Sequence, residues 1–285
     1  MDQASQPPMN PYFSAFSYNL PSDTLMVMLL PDLQIARTGP NFATGMLMVE
    51  YGLTDRLTIG AMMEGQRISG LPVSYGGVRF NAYFRVFAAD HLLNFTLYGE
   101  YEGLNGAALY KMEVAGFGGE DLEGPLPEAR RTPVRTFEQR AIVYHDWGRL
   151  NAAFNFISET GFDSHDNAFG YSWGVFWQPA WMGMNMDRTT MADTGAPSTP
   201  PVISLHRLGA GIEMLGALGN TNELGLHWSR QQQYAGPVFS YALSQEWSVH
   251  VESAIGLSAV SDPFVLRMGV AYSVDRIAHR LARAF

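Results

Sequence analysis

Val78-Arg79-Phe80-Asn81-Ala82-Tyr83-Phe84-Arg85-Val86 changes character at every residue. In an extended chain successive side chains point to opposite faces, so Val78, Phe80, Ala82, Phe84 and Val86 share one side and Arg79, Asn81, Tyr83 and Arg85 share the other. The same two-residue period sets Leu57, Ile59, Ala61 and Met63 against Thr58, Gly60, Met62, Glu64 and Gln66. It returns with Leu93, Phe95 and Leu97 against Asn94, Thr96, Tyr98 and Glu100, and with Leu150, Phe154 and Phe156 against Asn151, Asn155 and Glu159. Near the C-terminus Trp247, Val249, Val251 and Ile255 oppose Ser248, His250 and Glu252, and Leu266, Met268, Val270 and Tyr272 oppose Arg267, Gly269 and Ser273. Sustained helical spacing is scarce, so the chain reads as all-β.

Composition narrows the class. The 285 residues carry 18 Lys and Arg against 27 Asp and Glu, and 47% are hydrophobic while 16% are charged. A chain this apolar buries enough surface to fold, and its net charge of -9 repels nucleic acid. With no cysteine, thiolate metal sites, disulfides and thiol nucleophiles are excluded. The longest strictly apolar run, Leu25-Met26-Val27-Met28-Leu29-Leu30, falls far short of the roughly 18 residues of a spanning helix. MDQASQPPMNPY has neither the basic start nor the apolar middle of a secretory signal, and is read as the start of a processed or engineered form.

Membrane barrels cross lipid with alternating strands of about ten residues, joined by short turns on one rim and longer loops on the other. Twelve strands are expected near 24–36, 42–53, 56–67, 76–88, 92–102, 136–147, 149–159, 168–178, 205–215, 234–243, 246–257 and 264–274. Connections two, four, six and ten are tight; the fifth runs long from Gly103 to Arg135, and the eighth, 179–204, is long where the rule wants it short. Phe87, Trp147, Trp177 and Trp247 fall on the aliphatic face beside even-numbered connections and form an aromatic girdle, with Phe137, Tyr101 and Phe264 near the other rim. A soluble sandwich would turn its charged side chains outward, whereas here the aliphatic half is left for the outside. The expected fold is a transmembrane antiparallel up-and-down β-barrel of twelve strands, or fourteen if Ala107–Ala115 and Asn222–Ser229 also pair, in the bacterial outer membrane with lipid as its main partner.

Glu50-Tyr51-Gly52-Leu53-Thr54-Asp55-Arg56, followed by an alternating strand, resembles the strand–turn–strand of uncharacterised, transporter-like outer-membrane barrels related to the phenol meta-pathway degradation proteins. Phe137 to Ile142, Asn151 to Glu159, Tyr234 to Pro237 and Leu266 to Tyr272 are similar in type and order, and the resemblance covers about 24–274. It implies a barrel and a transport-like role. Such barrels commonly finish on a terminal aromatic; here a basic tail, 275–285, follows the last strand, so Tyr272 to Val274 or Phe285 would serve. The expected division is an N-terminal periplasmic segment at 1–23, the barrel at 24–274 and that tail.

With the aliphatic face outward, the lumen is lined by Asp32, Glu50, Glu64, Arg79, Arg85, Glu100, Glu138, Arg140, Glu159, Arg207, Glu213, His250, Glu252 and Arg267. If the arginines pair with the carboxylates, side chains plug the barrel and it is a shell. If they gather on one wall, a wet, cation-preferring pore survives. Gly170, Gly174, Gly209, Gly211, Gly236 and Gly269 are read as inward space, which favours the pore, or as tight packing or strand curvature at the barrel wall. Met26, Met28, Met46, Met48 and Met62 share the inward face of the first three strands; they fill gaps, contact an apolar solute, or bind a soft metal. No metal site or cofactor is assigned. The seven histidines are scattered without a serine–acid partnership, so no enzyme is expected. The functional expectation is a passive channel for a small cationic or apolar solute. Alternatives are a non-transporting structural barrel whose fifth connection or 179–204 connection docks a periplasmic protein, and an outer-membrane lipid-modifying enzyme.

Overall fold

The computed structural model describes residues 12–87, 91–105, 134–162, 167–178, 207–244, 246–275 and 277. Its strands are β1 (Thr24–Ile35), β2 (Phe42–Thr54), β3 (Leu57–Ile68), β4 (Ser74–Arg85), β5 (Asn94–Leu104) and β6 (Val134–Trp147), followed by β7 (Leu150–Gly161), β8 (Asn167–Trp177), β9 (Leu208–Asn220), β10 (Gln233–Ala242), β11 (Trp247–Gly256) and β12 (Phe264–Asp275). Each pairs antiparallel with its chain neighbours, and β12 returns to β1 from Thr24↔Asp275 to Ile35↔Phe264. Closure leaves no exposed sheet edge, so every strand finds a partner on both sides.

The closed sheet has twelve strands. Of the two extra segments considered, Asn222–Ser229 supplies only the isolated bridge Gly219↔Leu224, and Ala107–Ala115 lies outside the described residues. The largest boundary difference is in β9, which continues to Asn220 rather than 215. Leu215, Gly216 and Ala217 are buried in succession, and the register with β8 shifts at Phe169/Gly170, so the alternation that marks a strand lapses while pairing continues.

Three tight turns form one rim. Thr54 Oγ1 accepts from the N–H groups of Arg56 (3.2 Å) and Leu57 (3.0 Å) between β2 and β3, and Ser244 Oγ accepts from Glu246 (3.1 Å) and Trp247 (3.0 Å) between β10 and β11. Between β6 and β7 the chain reverses through Gly148 at φ 64, a left-handed conformation natural to glycine. Phe87, Trp147, Trp177 and Trp247 are all exposed beside this rim.

The cross-section is inverted relative to a soluble sheet. Phe80 is 55% exposed while its neighbours Arg79 and Asn81 are buried, and Leu97, Phe154, Phe239 and Val251 likewise stand outside. Among the described residues, buried charged side chains include eight glutamates and three arginines. No helix among these residues is long and apolar enough to cross a membrane.

The inward glycines do not leave open lumen. A Cβ on Gly209 would meet Phe176 Cζ at 2.6 Å, one on Gly211 would meet the same ring at 2.5 Å, and one on Gly174 would run into the ring of Tyr12. Gly236 is covered by the backbone of β11 at Ser253, and Gly269 by Leu30, His250 and Phe13; Gly170 is itself buried. The expectation of free space is therefore corrected: along β8 and β9 glycine makes a slot into which Phe176 and Tyr12 fit. Gly209→Ala should cost about 1–3 kcal/mol by overpacking. In a Phe176→Leu background that cost should fall below about 0.5 kcal/mol, and urea unfolding of all four chains in detergent measures the coupling.

Candidate functional site

Before β1 the chain turns sharply. Asp23 adopts φ 60 while its N–H donates to the Gly52 carbonyl at 2.8 Å, Thr24 N–H donates to Pro21 O at 3.2 Å, and the Tyr51 hydroxyl donates to Asp23 Oδ1 at 3.1 Å. A side chain at Gly52 would collide with the Pro21 carbonyl, so this glycine lets the segment cross β2. From there residues 12–20 lie inside the barrel. Leu20 N–H donates to Thr58 Oγ1 at 2.9 Å, and Asn19 Nδ2 donates to the Tyr83 carbonyl at 2.9 Å. Tyr18 then reaches the wall formed by β6, β7 and β8: its hydroxyl donates to Asp146 Oδ1 and accepts from Asn151 Nδ2 and Gln178 Nε2, both at 2.7 Å. Burial first, and the Asp146 charge second, hold this phenol well above its usual range, so it remains a donor.

Deeper in, the main chain of residues 13–16 is gripped by strand side chains. Glu213 on β9 accepts three consecutive backbone N–H groups, from Phe13 (3.0 Å), Ser14 (2.5 Å) and Ala15 (2.5 Å). The Ser14 carbonyl accepts from Arg140 Nη1 at 2.8 Å and Ser172 Oγ at 2.9 Å. Asn155 clamps the next residue at both ends, Oδ1 accepting from Phe16 N–H at 3.1 Å and Nδ2 donating to Phe16 O at 2.9 Å. The Phe16 ring sits 5.8 Å from Tyr83 and 5.6 Å from Tyr98, with the Arg140 guanidinium 4.3 Å from its centre. Arg267 Nη1 donates to Ser14 Oγ at 2.5 Å, and Tyr12 meets Phe176 edge-on at 5.9 Å.

The remaining buried ions are arranged around arginines. Arg79 on β4 holds Glu64 at 2.9 Å, Glu102 at 3.2 Å and Glu100 at 3.3 Å. Tyr98 donates to Glu100 at 2.5 Å and Thr136 to Glu102 at 2.6 Å. Arg140 Nε lies 2.5 Å from Glu138, and Arg267 lies 3.6 Å from Glu252 and opposite Asp32 in the β1–β12 register. Glu50 faces Asn81 Nδ2 at 3.5 Å, Glu159 is buried on β7, and His250 is bonded to Ser248 at 3.0 Å. Arg85 stands half-buried at the end of β4. Arg207 is a correction: it precedes β9 and donates to the Leu243 carbonyl at 3.0 Å on the exposed turn rim, away from the lumen wall.

Met26, Met48 and Met62 are buried together with Leu20, and Met28, Met46 and Leu30 pack against them. Met28, Met48 and Met62 are direct cross-strand neighbours, so the first three strands present a thioether row to the N-terminal segment. Among the described residues no group of three or more His, Asp or Glu is placed to hold a metal ion.

The segment before residue 24 was expected in the periplasm, and its part in the lumen was missed. One sequence signal pointed there: Tyr12, Phe13, Phe16 and Tyr18 are four aromatics within seven residues, unusual for a solvated lead-in. The connection at 179–204 and all of the tail except Asp275 and Ile277 lie outside the described residues.

Glu213→Ala strips the acceptor from three backbone donors. Hydrogen bonds to charged groups are worth about 1.5–3 kcal/mol each, and they are not additive. A net loss of about 3 kcal/mol would raise the open population of residues 12–20 roughly 100-fold. Chymotrypsin cleavage after Phe16 or Tyr18, timed by mass spectrometry in detergent, should accelerate by about that factor.

No family model and no curated protein matches this chain, so the resemblance to the phenol meta-pathway group stands on the quoted residues alone. Solved structures do match in fold. The COG4313 outer membrane channel from Pseudomonas putida F1 aligns with a TM-score of 0.55 at 10% identity, over 90% of this chain and 97% of the other. The KdgM porin in complex with disordered oligogalacturonate aligns with a TM-score of 0.53 at 9% identity, over 87% and 99%. At such identities the shared property is the closed barrel, the architecture of outer-membrane channels.

Proposed function

We propose that this chain is a bacterial outer-membrane channel for a small solute, closed in this conformation by its own residues 12–20. The observation that carries the membrane reading is the inverted cross-section, with Phe80, Leu97, Phe239 and Val251 outside and Arg79, Arg140 and Arg267 inside. An ionised side chain on the outside would cost about 2–4 kcal/mol at the bilayer midplane, and the middle stretches of these strands carry none. The exposed Phe87, Trp147, Trp177 and Trp247 suit the headgroup boundary. The likeness to a porin and a channel supports transport by analogy of fold.

A polar lumen with eight buried glutamates and three buried arginines among the described residues favours cations over anions. Met26, Met48 and Met62 offer an apolar strip beside it, suited to a solute with an aromatic or aliphatic part. The arginines are paired with carboxylates, which is one observation favouring the second reading, a non-transporting shell. The two part on whether residues 12–20 can leave the lumen.

In planar bilayers the wild-type protein should be mostly silent with rare openings. Glu213→Ala should give frequent cation-preferring steps, read as a reversal potential under a KCl gradient; silence from both chains favours the shell. The membrane reading has its own check. Val251→Arg should lower stability in lipid vesicles by about 2–4 kcal/mol, and a change under about 0.5 kcal/mol would place the β11 exterior outside hydrocarbon.

A further inference from the structure

The contacts of residues 13–16 are unusual in what they read. Glu213 takes three main-chain N–H groups, Arg140 and Ser172 take a main-chain carbonyl, and Asn155 takes the N–H and the carbonyl of one residue. Side-chain atoms of this stretch are also held, Ser14 Oγ by Arg267 and the Phe16 ring by Arg140. The side chains there are small where the wall is close, with Ser14 and Ala15 buried, and aromatic at Phe16, which meets Tyr83 edge-to-face and Tyr98 at a tilt.

We infer that the middle of the lumen is a peptide-binding site, specific for a short chain of two small residues followed by an aromatic, and that the N-terminal segment is its occupant in cis. The geometry supplies each element such a ligand needs. The carboxylate meets a bend of successive N–H donors, the carboxamide of Asn155 pairs with one peptide unit in both directions, and Arg140 joins a carbonyl to a ring face. The strand side is complete without the segment: Glu213, Asn155, Ser172, Arg140 and Arg267 all project from β6 to β9 and β12. Were residues 12–20 to leave, Arg140 and Arg267 would keep a carboxylate, but Glu213 and Asn155 would lose main-chain partners that a ligand with alternating donors and acceptors can replace. A second peptide satisfies them as the first does. The inference concerns what the lumen holds and stands whether or not ions pass through it.

The cis segment is tethered, and a short tether gives an effective concentration of about 1 mM, so a free peptide competes poorly with it in the wild type. The test uses full-length protein in detergent and a fluorescent peptide with the sequence of residues 12–20. Ser14→Pro removes one N–H donor to Glu213 outside any strand, and Phe16→Ala with Tyr18→Ala removes the ring and hydroxyl contacts, so either chain should release its segment without altering the barrel wall. Both variants should bind the peptide saturably, at least about tenfold more tightly than wild type by fluorescence anisotropy. A peptide N-methylated at the positions of Ser14 and Ala15 should lose at least about tenfold in affinity, because it lacks two donors to Glu213. Chymotrypsin cleavage, after Phe16 or Tyr18 in the Ser14→Pro chain and after Phe13 in the double variant, reports whether the segment has left. A released segment with no saturable peptide binding overturns the proposal, as does equal binding of the N-methylated peptide. A segment that stays protected in both variants overturns it too, since it is then a fixed part of the barrel and not an exchangeable ligand.

Discussion

A sheet that closes with its polar face inward must satisfy that face from within. Among the described residues the lumen wall buries Glu50, Glu64, Glu100, Glu102, Glu138, Glu159, Glu213 and Glu252, and removing one partner from a buried charge pair typically costs about 3–5 kcal/mol. The barrel meets this demand in two ways. Where an arginine is at hand it gathers acids around itself, as Arg79 does with three glutamates. At Glu213 the N-terminal segment supplies main-chain N–H groups. The segment is therefore part of the electrostatic solution of the lumen as well as an obstruction within it.

The strands were legible because burial on one side leaves a direct trace in sequence: a one-residue slip would put Arg79 outside and Phe80 inside, so the alternation has to be strict. The turns were legible for a related reason, since Thr54, Gly148 and Ser244 each supply the hydroxyl or the positive φ that a tight reversal needs. Glycine misled because its face carries no information about what lies opposite. Gly174, Gly209 and Gly211 look like space in a sequence, yet the space is filled by Tyr12 and Phe176, one of them about 160 residues away along the chain. Arg207 misled by position: β9 begins at Leu208, later than the pattern suggested, and that shift moves the guanidinium to the rim. The segment was hidden at its centre because the polar contacts of residues 13–16 run mainly through main-chain atoms, which every sequence possesses.

The paired arginines bear on how far the lumen can rearrange. Arg140 is shared: its Nε faces Glu138 within the wall, its Nη1 faces the Ser14 carbonyl, and its plane covers Phe16. Arg267 is shared in the same way between Glu252 and Ser14 Oγ. Loss of the segment would leave both cations with a carboxylate still in place, so neither would become an isolated buried charge. Glu213 has the most to lose, because three of its hydrogen bonds go to the segment. The cost of opening is thus concentrated on one carboxylate, and a single side chain can set how strongly the lumen is closed.

The methionine row completes the same logic on the opposite wall. Leu20 packs on Met26, Met48 and Met62, where a thioether chain can change rotamer at little cost and refill the gap left by a departing leucine. Branched aliphatic residues in those positions would fit Leu20 well and fit its absence badly, since packed cores do not deform continuously. If residues 12–20 are the exchangeable occupant proposed, the polar wall around Glu213 supplies specificity and the flexible wall around Met48 lets the segment leave. A lumen built only to be filled permanently would have use for the first property and none for the second.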